Sequence, residues 1–240
     1  MTMIRYPETV STPQFVIMAK EPIPGRVNTR LIRPDGVTAD DAARIARAML
    51  MCCIRRFRAR GPVVVAVSPD DAATRMAADL DPASAVRWVG QGDGSLGDRI
   101  VRVWSALGGG SAAFFGIDTP HMPSAALDDL LDGLSSNESV IGPTADGGYW
   151  SIGCPTFQPH LFRDIDWGGD SVYDQSVLRL TESGLAWRSL PRWVDVDEPD
   201  DLRDLSNRLH HQLAANGLSD VDRDAYECLL EELANISMLL

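Results

Sequence analysis

Lysine is almost absent from this 240-residue sequence: Lys20 stands alone, and arginine supplies every other permanent side-chain cation. Positive charge of either kind is scarce, with 22 Lys and Arg against 34 Asp and Glu, a formal net charge of −12. That balance argues against a nucleic-acid role, because phosphate backbones are held by basic surface. It leaves room for a nucleotide ligand, since a divalent metal can bridge acidic protein to acidic ligand. Long apolar runs are missing too. No run approaches the ~20 residues of a membrane span, and the N-terminus lacks the apolar core of a signal peptide, so cytoplasm is the expected location. Cys52, Cys53, Cys154 and Cys228 show no metal-ligand spacing, and buried free thiols are expected. What remains is ordinary enzyme composition, 45% hydrophobic and 23% charged, in a length that fits one large domain.

The chain reads as alternating strands and helices after a polar arm at residues 1–12. Phe15–Ala19 is a short apolar run ending in Lys20, a first buried strand. The segment 21–36 carries three prolines and two glycines, which is loop chemistry. Thr38 and Asp41 resemble a capping box, and the helical spacing of Ala42 through Phe57 predicts a long helix behind them. Strands are predicted at Val63–Val67, Val86–Val89, Ala112–Ile117, Val140–Gly142 and Tyr149–Ile152, with a mixed strand from Trp187 to Val194. Helices are predicted at Ala72–Leu80, around Ile100–Leu107, at Ser124–Leu134 and from Pro199, whose fixed φ suits a helix start. Near the C-terminus Tyr226, Leu229, Leu230, Leu233, Ile236 and Leu240 form an amphipathic stripe. It suits docking on the parent domain, with a homodimer as the other option. This alternation implies a mostly parallel sheet covered on both faces, an α/β/α three-layer fold whose ligands bind beyond the carboxyl ends of the strands.

Gly92-Asp93-Gly94-Ser95-Leu96-Gly97 is a literal G-x-G-x-x-G, with Asp118 about 20 residues on, so a NAD-dependent oxidoreductase has to be weighed. The segment is not in the first βα unit. Asp93 and Asp98 would also place negative charge beside a pyrophosphate. A tight turn or a nucleotide-contacting loop is the better reading.

The loop after the first strand, Lys20 to Arg30, gathers three cations in a strongly acidic chain. Lys20, Arg26 and Arg30 suit the oxygens of a diphosphate, against the alternative that they pair with local carboxylates. Asp118 ends an apolar strand, where an unpaired carboxylate is costly and a hard divalent cation answers the cost. Asp195 and Asp197 sit at i and i+2, on one face if extended. One of them could instead cap the helix that Pro199 enters. Asp146-Gly147-Gly148-Tyr149 is either a D-G hairpin turn or an acceptor loop with Asp146 as catalytic base. His121 is a weaker candidate for substrate contact, a surface histidine being the default. Trp167 to Ser171 looks like a flexible loop with an aromatic anchor.

In order, these stretches resemble the DUF2064 group of bacterial glycosyltransferase-like proteins. The resemblance rests on residues 15–31, on Gln91 to Arg99, on Gly116-Ile117-Asp118-Thr119-Pro120, on Gly142-Pro143 with Asp146 to Tyr149, and on Asp195 to Leu202, spanning roughly 14–205. It implies a GT-A-like nucleotide-diphospho-sugar transferase fold over residues 13–240, related to phospholactate guanylyltransferase-type nucleotidyltransferases. The C-terminal helix, about 219–240, lies beyond the resemblance. It further implies that Lys20, Gly25, Arg26, Thr29 and Arg30 face nucleotide phosphates, and that Gln91, Gly92, Gly94 and Gly97 approach base or ribose. Asp118, Asp195 and Asp197 would hold Mg2+ or Mn2+, with Asp118 also catalytic. His121, Gly147, Gly148, Tyr149 and Ser171 would meet the acceptor. Position 116 is glycine, so only one carboxylate of the Asp-x-Asp motif is present. Asn28 replaces a lysine common in the family, removing one phosphate-facing charge.

The expected activity is metal-dependent glycosyl transfer from a nucleotide-diphospho-sugar to a small acceptor. The alternative is nucleotidyl transfer from a nucleoside triphosphate with release of pyrophosphate. A nucleotide-binding regulator without turnover is the reading from another class.

Overall fold

The computed structural model describes residues 12–34 and 36–236; all but the last residue of the arm at 1–12, and Leu240, lie outside them. Strand β1 (Gln14–Lys20) runs through the middle of a seven-stranded sheet ordered β3-β2-β1-β4-β6-β5-β7. The others are β2 (Val63–Ser68), β3 (Arg87–Gly90), β4 (Ala112–Phe115), β5 (Ser139–Pro143), β6 (Tyr149–Cys154) and β7 (Trp187–Ser189). Every pairing is parallel except those of β6, which runs antiparallel to both β4 and β5.

The apolar strands are buried on both faces, and alternate residues choose different helices. Phe15, Ile17 and Ala19 join Val63, Val65 and Phe115 under α1 (Ala39–Arg58), α2 (Ala72–Leu80) and α4 (Ser124–Ser135). Val16, Val64 and Phe114 turn the other way, onto α3 (Leu96–Ala106) and α5 (Val172–Glu182). This is the three-layer arrangement that the alternation predicts. The Thr38–Asp41 capping box is present, and it starts α1 at Ala39. The amphipathic stripe docks on the parent chain: Tyr226, Leu229, Leu233 and Ile236 of α7 (Asp220–Ala234) and its end are buried with α1 and α6 (Pro199–Ala214). Cys52, Cys53 and Cys154 are buried free thiols and Cys228 is half-buried. Among the described residues no helix is long and apolar enough to cross a membrane.

Two strand ends and one helix cap near the sheet rim differ from expectation or decide between alternatives. Strand β4 stops at Phe115, leaving Gly116 to Asp118 as an irregular rim segment. The mixed strand predicted from Trp187 to Val194 pairs only to Ser189. Pro191, which has no N–H to give a ladder, follows, and beyond Ser189 the chain keeps only scattered contacts with the sheet, such as Leu190 N–H to the Ile141 carbonyl and a Thr144–Trp193 bridge. Helix α6 is capped by Glu198 with Asp201, so neither Asp195 nor Asp197 spends its carboxylate as the cap.

Candidate functional site

At the carboxyl ends of β1 and β4 lies a cavity of about 350 Å3. Its walls come from both ends of the chain: Lys20 and Asn28 to Arg30 from the first loop, Gly116 to Asp118 from the β4 rim, and Val196 and Asp197 from the segment before α6. The loop is held in shape by Gly25 at φ 74° and Asn28 at φ 46°, the latter opening the 3-10 turn Thr29–Leu31. The Asn28 side-chain amide nitrogen is buried in this wall without a partner among the described residues. Lys20, Arg26, Thr29 and Arg30 are exposed. Arg30 donates to Asp197 at 2.8 Å, so for this one cation the local-carboxylate alternative is realised, inside the same cavity.

Asp118 and Asp197 line this cavity, and Asp146 and Asp195 lie close to them. Asp146, Asp195 and Asp197 each bring an oxygen within 4.8 Å of the other two. Asp118 faces this group without joining it at that distance; its carboxyl folds back so that a Cβ on Gly116 would lie 2.6 Å from its Oδ1. An aspartate at position 116, as in Asp-x-Asp, would therefore displace Asp118. Burial, then the charges of Asp195 and Asp197, push the Asp118 carboxyl up to about 7. Asp195 is raised to about 6 by burial and by Asp146. The backbone fixes both, since Val196 N–H donates to the Asp118 carbonyl at 2.9 Å.

Sequence reasoning grouped Asp118, Asp195 and Asp197 and set Asp146 apart as a base. In the structure Asp146 is a member of the cluster. Of the two readings of its D-G-G segment the structure realises the hairpin turn, between β5 and β6. Thr144 Oγ1 and the Gly148 N–H both donate to Asp146 Oδ1 and aim it. The missed residue is Thr144; a hydroxyl two positions before an aspartate was the available signal. Gly147, at φ 90°, leaves no room for a Cβ, which would collide with the Asp170 carbonyl oxygen, and its own carbonyl accepts from Tyr173 N–H at 2.8 Å. The Asp166–Ser171 loop is thereby packed on the hairpin, with Trp167 edge-on to Tyr149 at 6.4 Å. Tyr149 buries its hydroxyl without a partner among the described residues, and Ser171 Oγ accepts from Gln175.

The glycine segment lies apart from this cavity. Gly94, Ser95 and Gly97 line a separate groove of about 860 Å3 with Arg102, Arg163 and Trp167. Gln91 is buried, and its amide donates to the carbonyls of Ala19 and Ala66 at 2.9 and 2.8 Å, tying β1 to β2. Gly92 N–H donates to Asp70, and Ser95 with Asp98 forms a capping box on α3. Gly97 is a packing glycine: a Cβ would meet the Phe162 carbonyl at 2.5 Å and the Trp167 ring at 2.9 Å. The N–H groups of Gly92, Ser95 and Asp98 are thus already engaged by Asp70 and the capping box. His121 is not at the surface as expected. It is 1% exposed, its ring tilted beside that of Trp193, because the loop 119–123 turns inward under α6.

Residues 54–169 match the DUF2064 family, described as an uncharacterized protein conserved in bacteria. The expected resemblance to DUF2064 is borne out there, on a span that holds Asp118 and Asp146 but not the first loop or Asp195 and Asp197. Among solved structures, a Desulfovibrio desulfuricans protein provisionally described as a nucleotide-diphospho-sugar transferase is 28% identical. It superposes with a TM-score of 0.74, covering 93% of this chain and 96% of that one. The Methanothermobacter nucleotidyl transferase Mth528 is 18% identical at TM-score 0.52, covering 84% of this chain and 99% of its own. A Leptospira borgpetersenii cytidylyltransferase is 14% identical at 0.51, covering 93% and 94%. These last two speak for the fold alone, which is GT-A-like as the resemblance implies. No curated protein matches the chain.

Proposed function

We propose that this DUF2064 protein is a metal-dependent transferase that binds the diphosphate of a nucleotide-diphospho-sugar and passes the sugar to a small acceptor. One observation carries the reading: a single cavity joins Lys20 and Arg30 to Asp118 and Asp197. Cations for phosphate oxygens and carboxylates for a hard divalent metal are then side by side, the pairing that a metal–diphosphate complex requires. The 28%-identical Desulfovibrio relative supports the sugar-donor form.

Asp146, Asp195 and Asp197 fit Mg2+ or Mn2+ as an oxygen-only donor set, with Asp118 facing them. The metal, when bound, neutralises charge on the leaving diphosphate. Around it, Lys20 and Arg30 bind phosphate oxygens, Arg30 orients Asp197, and Thr144 with the Gly148 N–H orients Asp146. Asn28 offers its orphaned amide N–H to a donor oxygen.

Nucleotidyl transfer is a second reading, favoured by the place of Asp146. With that carboxylate inside the cluster and held by two donors, it is poorly placed to act as a separate base. An acceptor that is already anionic, such as a phosphate, needs none.

Calorimetric titration with nucleoside diphosphates, nucleoside triphosphates and nucleotide-sugars, each with and without Mg2+ or Mn2+, tests both. Metal-dependent binding that is lost in Asp118→Ala is expected. Tightest binding of a nucleotide-sugar supports the first reading, and of a nucleoside triphosphate the second. Equal binding by Asp118→Ala and wild type would sink the assignment of this cavity.

A further inference from the structure

Beside the carboxylates, on the same rim of the sheet, three nitrogen-bearing side chains are packed together with their hydrogen bonds unmade. His121 is 1% exposed, and neither Nδ1 nor Nε2 has a partner among the described residues. Its ring lies 5.5 Å from that of Trp193, whose Nε1 is likewise buried and unpartnered. From α6 the Arg208 guanidinium sits 5.7 Å from the Trp193 ring, and its Nε is buried with no acceptor. A single unsatisfied buried donor costs about 1–3 kcal/mol, and here several share one place. Structural water is the simplest occupant of such a place, but it does not account for the collected chemistry.

Burial and the Arg208 charge push the His121 imidazole down to about 3, so it is neutral and offers one N–H. With the indole N–H and a guanidinium, the group is rich in donors and carries one fixed positive charge. Its complement is an oxyanion, which only accepts hydrogen bonds and does so at several lone pairs. The frame is fixed: Gln212 donates to the His121 carbonyl at 2.6 Å, and Trp193 N–H donates to the Pro143 carbonyl at 2.9 Å. The position is close to the chemistry, because His121 follows Asp118 by three residues and Trp193 precedes Asp195 by two. Trp193 and Arg208 are half-buried as residues, although the unpartnered nitrogens themselves are buried.

We infer that His121, Trp193 and Arg208 form a recognition site for an anionic oxygen group, a phosphate or a carboxylate, carried by the acceptor. The word acceptor rests on the transferase reading; the anion site itself does not.

The test is a titration of the full chain with inorganic phosphate, and separately with acetate, at constant ionic strength and without metal or nucleotide. NMR follows the Trp193 indole N–H and the His121 ring nitrogens, identified from Trp193→Phe and His121→Gln. A saturable shift of the indole signal with either anion is expected, and the stronger anion names the group. Arg208→Gln is expected to weaken that response at least tenfold while metal–nucleotide binding stays within twofold of wild type. Should Arg208→Gln not fold, Arg208→Lys, which keeps charge but loses the planar fork, is expected to weaken it severalfold. No saturable response to either anion, or one unchanged in the Arg208 variants, means that water alone occupies the place and overturns the inference. Intact metal–nucleotide binding in that case leaves the transferase reading standing. A wild-type anion response with no metal–nucleotide binding has the reverse meaning.

Discussion

The guanidinium of Arg30 donates to the carboxylate of Asp197 at 2.8 Å across a sequence separation of 167 residues, tying the first loop to the last carboxylate segment. Both partners are well exposed, 71% and 41%. As a surface ion pair the contact contributes at most about 1 kcal/mol to stability. Arg30→Ala is therefore expected to leave the melting temperature within a few degrees of wild type. If Arg30 also serves a nucleotide phosphate, the same change weakens metal–nucleotide binding by about tenfold or more, the loss of one charge-assisted hydrogen bond. Calorimetry beside a thermal melt separates the outcomes: a large fall in melting temperature with unchanged affinity would assign the pair to the fold alone.

Asp222 of the C-terminal helix meets Arg56 of α1 at 2.7 Å, with both side chains fully buried. It also accepts from Arg60 at 2.8 Å and from the Ser124 hydroxyl at 2.6 Å. Arg56 in turn donates to the Pro120 carbonyl at 2.7 Å, which links α7 to the loop that carries Asp118. Asp222→Ala strands the buried Arg56 charge and is expected to cost about 3–5 kcal/mol, read by urea denaturation. The two arginines and the Ser124 hydroxyl, prevailing over burial, hold the Asp222 carboxyl well below the usual range. A depressed carboxylate contributes stability that is present above its unfolded value, about 4, and is lost as the pH falls through the folded one. Wild-type stability should thus drop on acidification below about pH 4, and Asp222→Asn, less stable at neutral pH, should lose this part of the acid dependence.

Most of the fold was legible because its signals are local. The capping pair Thr38 and Asp41, the β-branched run Val63–Val67 and the period of α7 each fix one element by propensity and burial. The site was legible in its residues more than in its grouping. Which carboxylates meet depends on how the β5–β6 hairpin folds toward the α6 entry, and no spacing in the sequence encodes that long-range approach. Burial misled at His121, where a polar residue flanked by prolines reads as surface. The G-x-G-x-x-G segment needed weighing for a related reason: its glycines serve a turn and the close approach of Trp167, needs identical in sequence to those of a phosphate loop.

Gly147 offers a sharper test of how the hairpin aims Asp146. Its φ of 90° is strained for any side chain, and a Cβ there collides with backbone, the Asp170 carbonyl, which cannot swing aside. Gly147→Ala is expected to cost about 1–3 kcal/mol and to shift the Asp146 turn. Metal–nucleotide affinity should fall along with stability. The control is Gly168→Ala in the adjoining loop, also at positive φ but with nothing near its Cβ. It carries the backbone strain without the collision, so equal losses of affinity in both variants would mean that the Asp170 contact does not position Asp146.

The raised carboxyl of Asp118 gives the last prediction, and its sign runs opposite to that of Asp222. Burial, with Asp195 and Asp197, lifts the folded-state value to about 7, so the folded chain holds a proton that the unfolded chain has released. Stability linked to this group is then fully present below about pH 4 and is lost as the pH rises toward 7. At pH 8 without metal, wild type carries an unwelcome charge that Asp118→Asn removes. Because Asp118 is only half-buried, the gain is discounted to about 1–2 kcal/mol. That corresponds to a melting temperature higher by about 2–8 °C in the variant. At pH 4 the two proteins should melt nearly together. Added Mg2+ or Mn2+ with nucleotide should reverse the order at pH 8, stabilising wild type and leaving the variant nearly unmoved. Melts at the two pH values, in chelator and in metal–nucleotide, read all four states. An Asp118→Asn protein no more stable than wild type at pH 8 in chelator would show that this carboxylate is neither desolvated nor crowded by its neighbours.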